Sequence, residues 1–100
     1  MLKRYRVRYT RTAAAQLQEI FDYIEKESPA GAAKMIGRIV DAIDTLDILP
    51  QRHAIISGTD TGAPELRSMI VRPYLIRYCV NEDPALVTVL SVRHGARRSE

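Results

Sequence analysis

Apolar and basic residues alternate one by one over residues 4–10, with Tyr5, Val7 and Tyr9 on one side and Arg4, Arg6 and Arg8 on the other. A period of two predicts a half-buried strand whose arginine face stays wet or meets a partner. The period then becomes helical. Thr10 or Thr12 can cap a helix start there through its hydroxyl. From that point to about Lys26, the residues Ala13, Leu17, Ile20, Phe21 and Ile24 line one stripe. Asp22 and Lys26, four apart, could add a few tenths of a kcal/mol. Ser28-Pro29 restarts the pattern, because serine caps and proline suits the first helical position, where its missing N–H would be unpaired anyway. A second helix is expected from Pro29 to about Ile48, with Ile36, Ile39, Val40, Ile43 and Leu46 as its stripe, ended by Pro50. The break between the two helices is short enough only for an antiparallel hairpin. Gly31 and Gly37 each weaken the second helix by about 1 kcal/mol against alanine, which close approach of another backbone would explain.

Residues 50–64 hold two prolines and two glycines and read as the one long loop, carrying Arg52 and His53. Loops of this length in small domains are often functional or mobile. Residues 65–71 read as a strand with Leu66, Ser68 and Ile70 on one face and Arg67, Met69 and Val71 on the other. Arg72-Pro73 marks a turn. Tyr74, Ile76, Tyr78 and Val80 then share a face opposite Leu75, Arg77 and Cys79, and residues 81–84 have turn chemistry. Residues 86–92 are apolar on both faces apart from Thr88 and Ser91, the mark of a strand interior to its sheet. The fold class expected is α+β, in the order β-α-α-β-β-β. One domain spans residues 1–100, with a helical hairpin packed on one face of a small antiparallel sheet. The other sheet face is expected to carry Arg67, with Arg77 and Arg93.

Composition narrows the class. Apolar residues are 46% and charged ones 27% of the 100, as in a soluble globular domain. No apolar run approaches the ~18 residues of a membrane span. The basic N-terminus has no apolar segment behind it, so it does not read as a signal peptide, and the cytoplasm is the default location. A single cysteine, Cys79, excludes an internal disulfide and offers no metal-ligand spacing. Charge is uneven along the chain. Residues 1–11 hold five bases and no acid, residues 12–50 three bases against seven acids, and residues 51–100 seven arginines against five acids. The two basic ends can share a face that attracts a polyanion or an acidic protein, or form a plain solvated surface.

No nucleotide loop, zinc spacing, carboxylate pair or G-x-S-x-G nucleophile motif is present, so no cofactor or metal is expected. The remaining candidates are arginine and histidine: Arg67, Arg72, Arg77, Arg93, His94, Arg97 and Arg98. Arginine grips phosphate through a planar, permanently charged fork, and histidine moves protons near neutral pH. On one face these groups could bind RNA and assist metal-free cleavage. Alternatively Arg67 and Arg93 pair with acids or solvent and His94 caps the sheet edge.

Taken in order, A-x-x-Q-L-x-x-I-x-D-Y-I (Ala13 to Ile24), S-P-A-x-A-A (Ser28 to Ala33) and the L-x-x-x-P end of the second helix resemble the ParE branch of the RelE/ParE toxin superfamily. So do the strand arginine Arg67, the Tyr74-Ile76-Tyr78 alternation and V-x-H-x-x-R from Val92 to Arg97. The likeness covers about residues 4 to 97. It implies the toxin of a type II toxin–antitoxin system, a growth inhibitor of the kind that stabilises plasmids, neutralised by a small cognate antitoxin. The ParE branch poisons DNA gyrase, as an inhibitor rather than a catalyst. The alternative is the RelE branch, which cleaves mRNA on the ribosome, and there Arg67 and His94 match catalytic positions. No lysine follows Lys34 and no tyrosine follows Tyr78, so other basic and aromatic groups of those ribonucleases are missing. The resemblance thus makes Arg67, Arg72, Arg93, His94 and Arg97 the candidates for a target or partner surface.

Overall fold

A computed structural model describes residues 2–57 and 65–95. Strand β1 (Arg6–Tyr9) leads into helices α1 (Arg11–Glu25) and α2 (Pro29–Asp44), then two short 3-10 turns, Thr45–Asp47 and Pro50–Arg52. Strands β2 (Ala54–Ser57), β3 (Glu65–Val71), β4 (Tyr74–Glu82) and β5 (Ala85–His94) come next. They make one sheet in the order β1-β5-β4-β3-β2. The last three strands are the expected antiparallel meander, and β5 lies inside the sheet, as its two apolar faces required. The sheet is mixed, however, because β1 runs parallel to β5, pairing Arg6 with Leu86 and Tyr9 with Val89. A helical hairpin between β1 and the meander is long enough to return the chain and permit that pairing.

The stretch expected to be one loop is corrected. Residues 50–52 form a 3-10 turn and residues 54–57 an edge strand on β3, with an irregularity between Ile55 and Ser57. Four residues with a broken register give too little alternation for a period of two to show.

Both helix starts have the expected capping residues. Thr10 Oγ1 accepts from Ala13 N at 3.0 Å, and Ser28 Oγ accepts from Gly31 N at 2.9 Å with Pro29 behind it. A Cβ on Gly31 would stand 2.9 Å from that same Ser28 Oγ, so the glycine leaves the cap its room. Gly37 is different. Nothing lies within 4 Å of the Cβ it lacks, and the close backbone expected there is absent. Gly37→Ala should therefore stabilise the fold by about 0.8–1 kcal/mol, raising the melting temperature by roughly 4–8 °C. A thermal melt that falls instead contradicts an open site.

Ala13, Ile39, Ile43 and Leu46 from the helical side meet Tyr74, Ile76, Tyr78, Val80, Val87, Val89 and Val92 from the sheet. Tyr5, Val7 and Tyr9 point the same way, which leaves Arg6 and Arg8 outside. In β5, Tyr78 faces Val89 but Arg77 faces Ser91, so Leu90 is an extra residue and the strand bulges. The bulge is held from α1. Thr10 Oγ1 donates to Leu90 O at 3.2 Å, and Gln16 Oε1 accepts the Val92 N–H at 2.7 Å. One threonine thus starts the helix and fixes it to the sheet.

Candidate functional site

The polar groups form three places, not one. The first is built around Arg67. The reading that set it on the open sheet face is overturned: Arg67 shares its side of β3 with Met69, faces Tyr78 in the register, and is only 7% exposed. A guanidinium can lie there only if its nitrogens find partners, and each of the three does. Nη1 donates to Gln51 O at 2.8 Å and His53 O at 2.6 Å. Nε and Nη2 donate to Glu65 Oε1 at 3.1 and 2.8 Å. The arginine therefore ties the segment after α2 to the sheet. Tyr78 does the same one strand over, its hydroxyl donating to Pro50 O at 2.6 Å. Burial pushes the Tyr78 phenol up to about 12, partly opposed by Arg67 and Arg52.

Arg52 holds that segment from outside. Its guanidinium donates to the carbonyls of Thr45, Ile48 and Leu49 and to Thr45 Oγ1, closing the carbonyl end of α2 and the turn after it. Leu49, between the two 3-10 turns, sits in the left-handed region at φ 51°, which the clamp holds in place. Next to it, Gln51 Nε2 donates to Glu82 Oε2 at 2.6 Å and Tyr5 Oη at 3.0 Å. Tyr5 Oη donates to Glu82 Oε1 at 2.7 Å, and Lys3 pairs with the same oxygen at 3.0 Å. These bonds, that of Tyr5 first, hold the Glu82 carboxyl below the usual range, and Lys3 is raised by its bond to Glu82. His53 meets the edge of the Tyr78 ring, centroids 6.3 Å apart, and its buried Nε2 has no partner. Burial, then Arg52 and Arg67, lower the pKa of that imidazole and so favour its neutral form.

The second place is the far end of the sheet. His94 pairs with Tyr74 in the register and stands edge-on to its ring at 5.5 Å. Gly95 N donates to Pro73 O at 2.7 Å, closing the β3–β4 turn, which carries exposed Arg72, onto the end of β5. Arg93 is exposed and lies on the opposite face, across from Leu75. Arg97 falls outside the described residues. Arg67 and His94 do not meet. Arg67 faces Tyr78, while His94 faces Tyr74, which faces Val71. Four residues of strand separate those rows, about 13 Å along the sheet.

The third place is the open face of the sheet, with Arg6, Arg8, Arg77 and Arg93. Cys79 lies on that face. Burial raises its thiol pKa while Arg8 pulls it down, so it is no ready nucleophile. Among the described residues, no group of three His, Cys, Asp or Glu side chains could hold a metal, and no helix is long and apolar enough to cross a membrane.

A model of the ParE toxin of type II toxin–antitoxin systems matches residues 7–99. The chain belongs to the ParE toxin family. It is a type II toxin within the RelE/ParE superfamily. It is 38% identical over 90 residues to toxin RelE2 of Caulobacter vibrioides, covering 89% of this chain and 93% of that one. In fold it is similar to a chain of the chromosomal ParDE system of P. aeruginosa. That match has a TM-score of 0.72 and 22% identity, over 92% of this chain and 97% of that one. It is also similar to a chain of the archaeal RelE–RelB complex from Pyrococcus horikoshii OT3. There the TM-score is 0.66 and the identity 21%, over 94% and 98% of the two chains. The likeness therefore spans both ParDE and RelBE systems.

Within this ParE-family fold, the residues that sequence reasoning misses are Gln16, Gln51 and Glu82. Each is polar, lies among ordinary surface residues in the sequence, and gains its partner only across 31 to 77 residues of chain. The strict alternation of Tyr5 with the arginines is the one available signal, since it aims a phenol inward where a partner is needed.

Proposed function

We propose that this ParE-family chain inhibits DNA gyrase and is kept inactive by a small cognate antitoxin encoded beside it. The separation of Arg67 from His94 carries the reading. A metal-free ribonuclease needs a phosphate-gripping cation and a proton carrier on one scissile bond, within hydrogen-bond reach of it. Here the arginine is buried with its donors engaged, and the histidine lies two strands and four residues away. The match to the ParE family favours the same branch, and the ParDE and RelBE systems to which the fold is similar support an antitoxin partner. Arg72, Arg93 and His94 are then surface for the target or the antitoxin, together with Arg97. Arg67 serves by shaping the fold. Such an inhibitor acts in the cytoplasm, where gyrase works.

One preparation, given to gyrase in a supercoiling assay and to translating ribosomes in an mRNA-cleavage assay, divides the two branches. Loss of supercoiling without cleavage is expected. Cleavage with supercoiling intact sinks the proposal. On this reading His94→Ala leaves growth inhibition largely intact. Abolished toxicity in a His94→Ala protein shown to be folded argues for the ribonuclease.

A further inference from the structure

The strands sort their charges by face. The two acids, Glu65 and Glu82, bond to residues on the helix side or its rim, Glu65 to Arg67 and Glu82 to Tyr5, Lys3 and Gln51. On the other face the register places Arg6 beside Leu86, Arg8 beside Thr88, Arg77 beside Ser91 and Arg93 beside Leu75. These four arginines, all exposed, come from the adjacent strands β1, β5 and β4, whose spacing is about 4.8 Å. No acid of the described strands lies on that face. Lys3, Arg4 and Arg67 are held in ion pairs, and no ion pair among the described residues uses Arg6, Arg8 or Arg77. A concentration of like charge on one face is a standing attraction for an anion.

The surrounding residues say which anion. Tyr5, Tyr9, Tyr74 and Tyr78 all lie on the helix side, so the arginine face has no ring on which an unpaired base could stack. Recognition of single strands relies on such rings. Thr88 stands beside Arg8 and Ser91 beside Arg77, hydrogen-bonding groups at the middle of the face, while Leu86 and Leu75 flank the outer arginines Arg6 and Arg93. Guanidinium forks with hydroxyls between them fit phosphates. We propose that the open face of β1, β5 and β4 binds the phosphate backbone of duplex DNA without reading its bases. The choice of DNA as the duplex rests on the gyrase-directed reading; the fit to phosphate does not.

The test is fluorescence anisotropy of the full chain with a labelled random-sequence DNA duplex, across a salt series. With three phosphates neutralised, by Arg6, Arg8 and Arg77, the logarithm of affinity should fall by about 2.7 per decade of salt, on the order of 40-fold between about 50 and 200 mM. A second random sequence should bind equally well. The double variant Arg8→Gln/Arg77→Gln should lower that slope by about 1.8, while Lys34→Gln/Arg38→Gln on α2 should leave it unchanged. Arg8 and Arg77 are exposed, so the first variant should melt as the parent does. The parent protein tests the idea independently of any variant. Tighter binding to single-stranded DNA or RNA of the same length overturns it, as does binding to polyglutamate with none to duplex. Equal loss from the two double variants does so too. Inhibition of supercoiling without duplex binding removes this inference and leaves the gyrase reading standing; duplex binding with supercoiling untouched does the reverse.

Discussion

Arg67→Ala should cost about 3–5 kcal/mol of stability, chiefly because two carbonyls lose the donor they share, at about 1–3 kcal/mol each; Glu65, 37% exposed, can turn to water instead. The change leaves the carbonyls of Gln51 and His53 without the Nη1 donor that joins them, and deprives Glu65 of both its bonds. A domain of this size has on the order of 5–15 kcal/mol in all, so the melting temperature should drop by roughly 12 °C or more. Arg67→Lys should recover only part of this, since an ammonium cannot span two carbonyls and a carboxylate as the planar fork does. Urea unfolding of the three proteins gives the measurement. A loss under about 1 kcal/mol for Arg67→Ala would show that the arginine is not a structural tie. A folded Arg67→Ala protein without toxicity would move Arg67 from architecture to chemistry.

The next largest effect belongs to Tyr78. Tyr78→Phe keeps the ring and removes the donor to the buried carbonyl of Pro50, for an expected loss of about 1–3 kcal/mol. The pH dependence has a definite sign. In the unfolded chain the phenol titrates near 10, and in the native protein near 12. Between those values the native state holds a proton that the unfolded state has released. Stability therefore falls as pH rises through that window, and the contribution is complete below pH 10. Tyr9 is shifted upward too, by burial first and then by Asp44, so both proteins lose stability there. The diagnostic quantity is the gap between parent and Tyr78→Phe, which should narrow from pH 10 towards 12. A gap that stays constant across that range would mean that Tyr78 titrates elsewhere.

These two residues show what can be read in the sequence and what cannot. Tyr78 is legible as core because Tyr74, Ile76 and Val80 share its parity and β4 has one plainly apolar face. For Arg67, alternation groups it correctly with Met69 and Val71 but does not say which side is inward. Strand β3 carries Leu66 and Ile70 on one face and Met69 and Val71 on the other, so neither face is decisively apolar. Ile70 is in fact the exposed one, at 66%. The helices, their caps and the meander come from short-range pattern and local hydrogen bonding. The parallel pairing of β1, the edge strand β2 and the ties made by Gln16, Gln51 and Glu82 depend on contacts between distant parts of the chain. Periodicity carries no trace of such contacts. For the site, the sequence supplies the arginines but not their sorting, since a fork aimed at carbonyls and one aimed at solvent are the same letter.

The position of β5 between β1 and β4 has a consequence for how the toxin comes into being. The first strand made has its only sheet neighbour in the last, and Thr10 N waits for Val89 O. At typical synthesis rates of about 5–20 residues per second, that wait is on the order of 4–16 s. During it α1 has neither the bulge to hold nor the sheet to cover, and the arginines of β1 stand apart from Arg77 of β4. A nascent chain stopped before residue 85 therefore carries two helices and half a sheet but no finished toxin surface. Any surface that spans β1, β5 and β4 exists only once the last strand has been made.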